Sequence, residues 1–262
     1  MNAQTDSPAP VILLTGASSG IGAALAVELA RQLSARIGLM ARREELLEEV
    51  ASAVRDAGGE ALCLPCDVAM ADEVAAAVER CAAELGPITH AIANAGIGEA
   101  MFVHKADAAL IARVMRVNYE GATNLFAAVL PAMLEAGSGH LVGVSSIAGF
   151  RGLPGSASYS ASKAALSTWL EAARVELKPR GIAVSTVHPG FVTTPMTDRN
   201  KFPMPFLVPA PKAAKIIVRG MMRTKREINF PWPMVTVLRL IRALPNWVYD
   251  GMAALASPFK KG

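Results

Sequence analysis

The sequence predicts a doubly wound α/β fold, a parallel sheet of about seven strands with helices on both faces. Short apolar or β-branched runs alternate with Ala-rich stretches of helical period along most of the chain. That alternation implies parallel pairing through right-handed crossovers. The strand candidates are almost continuously apolar, as in a sheet covered on both sides. No low-complexity linker or internal repeat divides the 262 residues, a length that single α/β domains routinely reach.

In chain order the predicted strands are Val11–Thr15, Ala35–Met40, Ala61–Cys66, His90–Ala93, His140–Ser145, Ile182–His188 and Glu227–Phe230. Helical patterns fall near 21–33, 43–57, 71–85, 107–136, 156–178 and 210–224. The first nine residues read as a frayed, flexible N-terminus, residues 10–230 as the catalytic domain and 231–262 as a C-terminal helical extension. Between Lys201 and Pro211 the sequence KFPMPFLVPAP holds four prolines, which forbid a continuous helix. An irregular excursion is expected there, where this fold class places ligand-facing loops. Met196, Met204 and Phe206 suit either a substrate pocket or plain packing, whereas Met221 and Met222 read as core.

Composition narrows the function classes. Hydrophobic residues make up 52% and charged residues 18%, with a mean hydropathy of +0.34, which excludes a disordered chain. Three cysteines exclude a disulfide scaffold and fit a reducing compartment. The net charge of +4 suits an anionic cofactor or a membrane surface, but no basic cluster interleaves with aromatics, so no nucleic-acid partner is expected. Ser7 to Val27 carries no charge, yet it contains two prolines and three glycines, and nothing basic precedes it. A buried strand followed by a loop is expected there, in a cytoplasmic protein.

Two motifs carry chemistry. TGASSGIG, Thr15 to Gly22, follows the first strand and opens the first helix. Glycines at Gly16, Gly20 and Gly22 permit a tight turn and let backbone N–H groups, among them those of Ser18, Ser19 and Ile21, approach a diphosphate at a helix N-terminus. In YSASK, Tyr159 and Lys163 stand one helical turn apart on one face. A neighbouring ammonium favours phenolate over phenol and lowers the tyrosine pKa. A tyrosine tuned in that way exchanges a proton with an alcohol or carbonyl.

TGASSGIG, Asp67 in CDV, Asn94-Ala95-Gly96, Asn118, Ser146 in VSSIAG, Tyr159-x3-Lys163 and Pro189-Gly190 with Thr194 occur in order. Ser146 precedes Tyr159 by thirteen positions. Over roughly residues 10–230 the chain resembles the short-chain dehydrogenase/reductase family, which implies a Rossmann-like sheet and an oxidoreductase. The resemblance implies that Tyr159 is the general acid/base. Lys163 would lower its pKa and hold the nicotinamide ribose, and Ser146 would bind the substrate oxygen. Asn118 would hold a water that completes a proton relay. Asp67 and Val68 would receive the adenine, and Val192 with Thr194 the carboxamide. Asn94, Ala95 and Gly96 would wall the cofactor, beside Pro189 and Gly190. No metal is implied. A homodimer or homotetramer is implied, through the helices near 107–136 and 156–178.

Cofactor preference is legible after the second strand. A carboxylate there would hydrogen-bond both ribose hydroxyls of NAD(H) and repel a 2′-phosphate. The sequence instead reads Met40-Ala41-Arg42-Arg43, and Arg42 matches the position where NADP-preferring relatives carry arginine. A guanidinium binds phosphate bidentately, so NADP(H) is favoured over NAD(H). No basic residue lies between Gly16 and Gly22, so a second phosphate contact in that loop is not expected.

The expected reaction interconverts a ketone or aldehyde and an alcohol, on a small-molecule substrate that is lipid-like in one variant of the reading. The rival is a non-catalytic nucleotide-binding scaffold, against which the intact Asn118, Ser146, Tyr159 and Lys163 argue. Cys63 and Cys66 imitate a redox CxxC but end a buried strand, and His188 reads as a packed or hydrogen-bonded strand-end residue. In the tail, Met234, Val235, Val237, Leu238, Ile241 and Leu244 form an apolar helical stripe opposite Arg239 and Arg242. Trp232, Trp247, Tyr249, Phe259, Lys260 and Lys261 suit a membrane interface, so residues 231–259 read as a lid, a subunit contact or a peripheral attachment to the inner face of a membrane. Eleven helical residues are too short to span about 30 Å of hydrocarbon.

Overall fold

The computed structural model describes residues 9–199 and 203–256. Its strands are β1 (Val11–Thr15), β2 (Arg36–Ala41), β3 (Glu60–Pro65), β4 (His90–Ala93), β5 (Gly139–Val144), β6 (Ile182–Pro189), β7 (Val192–Thr193), β8 (Val208–Pro209) and β9 (Glu227–Phe230). The helices are α1 (Gly20–Leu33), α2 (Glu44–Asp56), α3 (Ala71–Leu85), α4 (Ala108–Met115), α5 (Gly121–Ala136), α6 (Ala157–Leu177), α7 (Ala210–Met221), α8 (Trp232–Ala243) and α9 (Asn246–Ala256). Seven strands pair in parallel in the order β3-β2-β1-β4-β5-β6-β9. The doubly wound sheet predicted from the sequence is therefore present, with seven strands.

Alternation along the strands builds two core layers. Ile12 and Leu14 of β1 pack with Leu25 and Leu29 of α1 and with Ile217 and Val218 of α7. Val11 and Leu13 point to the opposite face, with Leu125 and Phe126 of α5 and Leu166 and Leu170 of α6. Side chains alternate across a strand, so a sheet buried on both faces needs apolar residues at every position. From β1 the chain winds outward to β3, then returns to place β4 on the other side of β1. That reversal opens a crevice at the strands' C-terminal ends, where this architecture binds ligands.

Several expectations need correction. The helix expected over 107–136 is two helices joined by a π-helical turn, Arg116–Glu120, that carries Asn118. Wide turns of this kind interrupt helices where a side chain is drawn into another contact. In the proline-rich segment, β8 pairs with β7, and α7 begins at Ala210 with Pro211 in its first turn, where the missing N–H costs nothing. Met221 is core, but Met222 caps the end of α7 and is 57% exposed. Val237 also faces solvent, off the packed stripe of α8. Lys201, Phe259, Lys260, Lys261 and residues 1–8 lie outside the described residues.

The CxxC pair is split by the sheet. Cys63 packs in the α1/α2 layer and Cys66 in the opposite layer with Cys81. Burial pushes their thiols up to about 12, 11 and 12 respectively, so they stand as protonated, unreactive thiols. No described helix is long and apolar enough to cross a membrane.

At the sheet's other end, His90 and His140 are register partners with ring centroids 5.5 Å apart. His140 Nε2 lies 2.8 Å from Ser185 Oγ. Burial and the neighbouring His90 push His140 down to about 4. The unfolded chain binds that proton near 6.5 and the folded chain only near 4, so stability is lost as pH falls through this window, by on the order of 3 kcal/mol once both states are protonated. Melting curves at pH 7 and pH 4.5 should show a smaller acid-induced loss in His140→Gln than in the wild type. Equal losses would remove His140 from the acid response.

Candidate active site

The site is assembled from the C-terminal ends of β1, β4, β5 and β6. After β1, Gly16 adopts φ +66°, and a Cβ there would stand 2.7 Å from Ala95 Cα. Only glycine allows the loop to lie this close to the end of β4. The first turn of α1 contains no acidic residue, and its N-cap Ser19 makes no side-chain hydrogen bond to the helix. The first N–H groups of an α-helix lack intrahelical acceptors and carry partial positive charge. This donor set fits the diphosphate of a dinucleotide. Gly20 is covered by Thr194, whose Cγ2 would be 3.0 Å from a Cβ at that position, so the glycine loop and the segment after β6 face each other.

A buried polar seam links this loop to the catalytic candidates. Thr15 Oγ1 accepts from the N–H groups of Asn94 and Ala95, both at 3.0 Å. Asn94 Nδ2 donates to Thr15 O at 3.0 Å and Gly16 O at 3.2 Å. Two residues further, Ile97 N donates to Asn118 Oδ1 at 2.7 Å, and Asn118 Nδ2 donates to Ile97 O and to Ser162 Oγ, both at 2.9 Å. Ser162 in turn donates to Tyr159 O at 2.8 Å. Asn118 is fully buried, and both its amide hydrogens are used within the protein.

Above Gly96 the candidates converge. A Cβ on Gly96 would lie 3.3 Å from both Asn118 Oδ1 and Lys163 Nζ, so the two atoms border one small space. Lys163 Nζ donates to Val144 O at 2.9 Å and lies 5.9 Å from the Tyr159 ring centroid. Ser146 caps the short 3-10 turn Ile147–Gly149, accepting from Ala148 N at 3.1 Å, and its hydroxyl also contacts Tyr159. Burial pushes the Tyr159 phenol above its ordinary value, and the Ser146 hydrogen bond opposes that rise. Burial brings Lys163 down to about 8. Burial thus opposes the lowering of the phenol expected from Lys163, since desolvation disfavours both charged forms.

The flank by β2 departs from the sequence reading in one respect. Arg42 lies 4.0 Å from Asp67 and is mostly exposed, a weak pairing. Arg43 reaches the glycine loop, its Nη2 donating to Ser18 Oγ at 3.3 Å. The second cation beside the loop comes from the β2–α2 turn rather than from the loop itself. Asp67 Oδ1 accepts from Ala69 N at 3.0 Å. Val68 is buried beneath the start of α5, and its carbonyl accepts from Asn124. Beyond β6, Val192 O and Thr194 N both bond Thr197 Oγ1, at 2.7 and 2.9 Å. Thr197 was missed, although a hydroxyl three residues after Thr194 is the usual signal for such a local turn. Gly190 N donates to Phe230 O at 2.7 Å, and Pro189 O faces Ser146 Oγ at 3.5 Å.

The tail closes one side of the crevice. Val235, Met234 and Leu238 of α8 pack on Ile147 and Phe150, immediately after Ser146. Arg151 Nη1 donates to Arg242 O at 3.1 Å and Leu244 O at 3.3 Å, and its guanidinium stacks 4.4 Å over Tyr249. On the opposite wall, Met196 Sδ would be 3.3 Å and the Tyr159 ring 3.6 Å from a Cβ on Gly98. Met196 therefore stands at the pocket, whereas Phe206 is exposed on its loop.

Comparison with known proteins gives the chain its relatives. Residues 10–203 match the short chain dehydrogenase family. The chain is 40% identical over 241 residues to an uncharacterized oxidoreductase of Myxococcus xanthus, covering 92% of this chain and 95% of that protein. It is 35% identical over 221 residues to the ketoacyl reductase HetN of a Nostoc species, covering 83% and 77%. Among solved structures it is similar to a short-chain dehydrogenase from Sphingobium yanoikuyae in complex with NADPH, with a TM-score of 0.79, 27% identity, and coverage of 97% of this chain and 98% of that one.

Proposed function

The chain belongs to the short chain dehydrogenase family, oxidoreductases acting on CH–OH and C=O groups, and on that premise we propose that it reduces a ketone or aldehyde with NADPH, Tyr159 serving as general acid. The observation that carries this reading is the convergence of Asn118, Ser146, Tyr159 and Lys163 at the sheet's reversal point, beside the N-terminus of α1, where Ser19 makes no side-chain cap. That the similar structure from Sphingobium yanoikuyae holds NADPH supports the cofactor.

When bound, reduced nicotinamide supplies the hydride. The protein's part is positioning and proton supply. Ser146 Oγ–H donates to the substrate oxygen, where negative charge develops. Tyr159 gives its phenolic proton to that oxygen as the alcohol forms. A phenol raised by burial stays protonated through neutral pH and is ready to donate. The buried Lys163 ammonium faces the tyrosine ring and offsets the charge left on the phenolate. Asn118 holds Ile97 and Ser162 so that the helix carrying Tyr159 keeps its position over Gly96. Met196 and the face of α8 give the carbonyl compound an apolar flank.

We take residues 10–230 as the catalytic domain and 231–262 as its extension, of which α8 walls the cleft. Trp232 and Trp247, 76% and 79% exposed, support a second role for the outer face, peripheral attachment to a lipid surface. Val175 of α6, also in solvent, supports a subunit contact on that helix.

Tyr159→Phe should abolish NADPH-dependent reduction across a panel of ketones and aldehydes while leaving the NADPH dissociation constant within a few-fold. The wild-type rate should hold through neutral pH and fall above about 8, as Lys163 loses its proton. A Tyr159→Phe variant with most of its kcat would overturn the assignment. Inactivity of the wild type on the whole panel, with tight NADPH binding, would favour the scaffold.

Cofactor choice is tested by kcat/KM with NADPH and NADH. At least tenfold preference for NADPH is expected, about 1.4 kcal/mol of differential stabilisation. Arg42→Ala and Arg43→Ala should each reduce it and the double variant erase it, because both guanidinium groups flank the end of β2. Equal use of the two cofactors by the wild type would defeat the assignment.

A further inference from the structure

Behind the site runs a chain of hydrogen bonds whose directions are fixed from one end. Glu227 of β9 pairs with Arg239 of α8 and accepts from Asn229 Nδ2 at 2.9 Å. A carboxylate only accepts, so the amide must present Nδ2 to Glu227 and Oδ1 to the other side. There Asn229 Oδ1 meets His188 Nδ1 at 2.8 Å, so His188 Nδ1 must carry the proton and donate. Burial holds this imidazole below its ordinary pKa, so it is neutral at pH 7 and its Nε2 is a lone-pair acceptor. Ser167 Oγ lies 3.1 Å from Nε2 and 2.9 Å from Lys163 O, and of these two acceptors Nε2 has no other hydroxyl beside it to draw on among the described residues.

The consequence reaches the catalytic helix. Ser167 Oγ and Ser145 Oγ both lie within hydrogen-bond distance of Lys163 O, at 2.9 and 2.8 Å, and 2.8 Å from each other. With the Ser167 hydrogen on His188, Ser145 is the side-chain donor left for Lys163 O. Ser145 directly precedes Ser146, so this bond ties the Ser146 segment to the turn of α6 that carries Lys163, one turn beyond Tyr159. Phe150 packs against the imidazole with centroids 4.9 Å apart and closes the far side.

We propose that His188 is a positioning residue for the reaction, held as the Nδ1–H tautomer by the Arg239–Glu227–Asn229 chain, and that through Ser167 it reserves the Ser145 hydroxyl for Lys163 O. Helix α8 thereby contributes, through this chain, to the spacing between Ser146 and Tyr159. The charged groups around the imidazole are Glu227 on β9 and Arg239 and Arg242 on α8. This inference rests on the reductase reading for its kinetic consequence, though not for its tautomer.

The test joins a spectroscopic and a kinetic measurement on the full chain. Nitrogen-15 shifts of His188 at pH 7 should report a neutral ring protonated at Nδ1. In Glu227→Gln the new amide can donate to Asn229, which is then free to turn, and the shifts should move toward Nε2–H. With any panel ketone that the wild type reduces with NADPH, kcat should fall at least threefold in Glu227→Gln and in Ser167→Ala, with little change in KM for NADPH. The double variant should be no worse than the poorer single one. A wild-type Nε2–H ring or an imidazolium would overturn the proposal, as would unchanged kcat in both variants or multiplicative losses in the double. Failure of the wild type to reduce any ketone would count against the reductase reading, while the nitrogen shifts would still decide the tautomer.

Discussion

Everything at this site depends on the join between β1 and β4. These strands meet where the sheet reverses its winding, so their C-terminal ends diverge into different loops with no ladder to hold them. Thr15 and Asn94 supply that ladder from side chains: four hydrogen bonds at 3.0 to 3.2 Å cross the seam. Buried donors left without partners cost about 1–3 kcal/mol each. The two loops are therefore held as one unit, and the absent Cβ of Gly16 is what lets them meet.

From that join the polar path continues through Ile97, Asn118 and Ser162 to Tyr159. It explains why a helix otherwise suited to run unbroken from 108 to 136 opens into a π turn at Arg116–Glu120. Asn118 has to turn inward and hold two backbone atoms of Ile97, and the wider turn provides the room. Electrostatics follow from the same burial. Lys163 is drawn to Val144 O and desolvated, and the Tyr159 phenol is raised rather than lowered. In the direction of carbonyl reduction that suits the chemistry, since the group needed is the protonated phenol.

Periodicity was enough to place every strand of the main sheet within a residue or so, because a sheet buried on both faces demands uninterrupted apolar runs. The catalytic candidates were legible because TGASSGIG and YSASK put backbone donors and paired side chains at fixed spacings on one strand–loop–helix unit. Arg43 was legible as a charge but not as a contact: whether it or Arg42 turns to Ser18 is decided by the β2–α2 turn, which sequence spacing does not fix. The roles of Ser145, Ser167 and Asn229 were illegible for a deeper reason. Each is a common polar residue, and the contacts that link Ser145 to Lys163, Ser167 to His188 and Asn229 to His188 span 18 to 41 positions. Strand register brings Asn229 to His188, and the packing of α6 against the sheet brings in Ser167 and Ser145. The stripe on α8 was read correctly at Met234, Val235 and Leu238 and wrongly at Val237, since a helix resting on the Ile147–Gly149 turn and the edge strand β9 buries a narrower face than one lying across a sheet.

The most direct test of the account is to cut the seam and ask whether both halves of the site fail together. Asn94→Ala should raise the NADPH dissociation constant, read by fluorescence, at least tenfold, about 1.4 kcal/mol. It should also lower kcat at saturating NADPH, with cooperative unfolding preserved. Loss of one property alone, or of neither, would contradict the claim that Thr15 and Asn94 join the cofactor loop and the Tyr159 helix into a single unit.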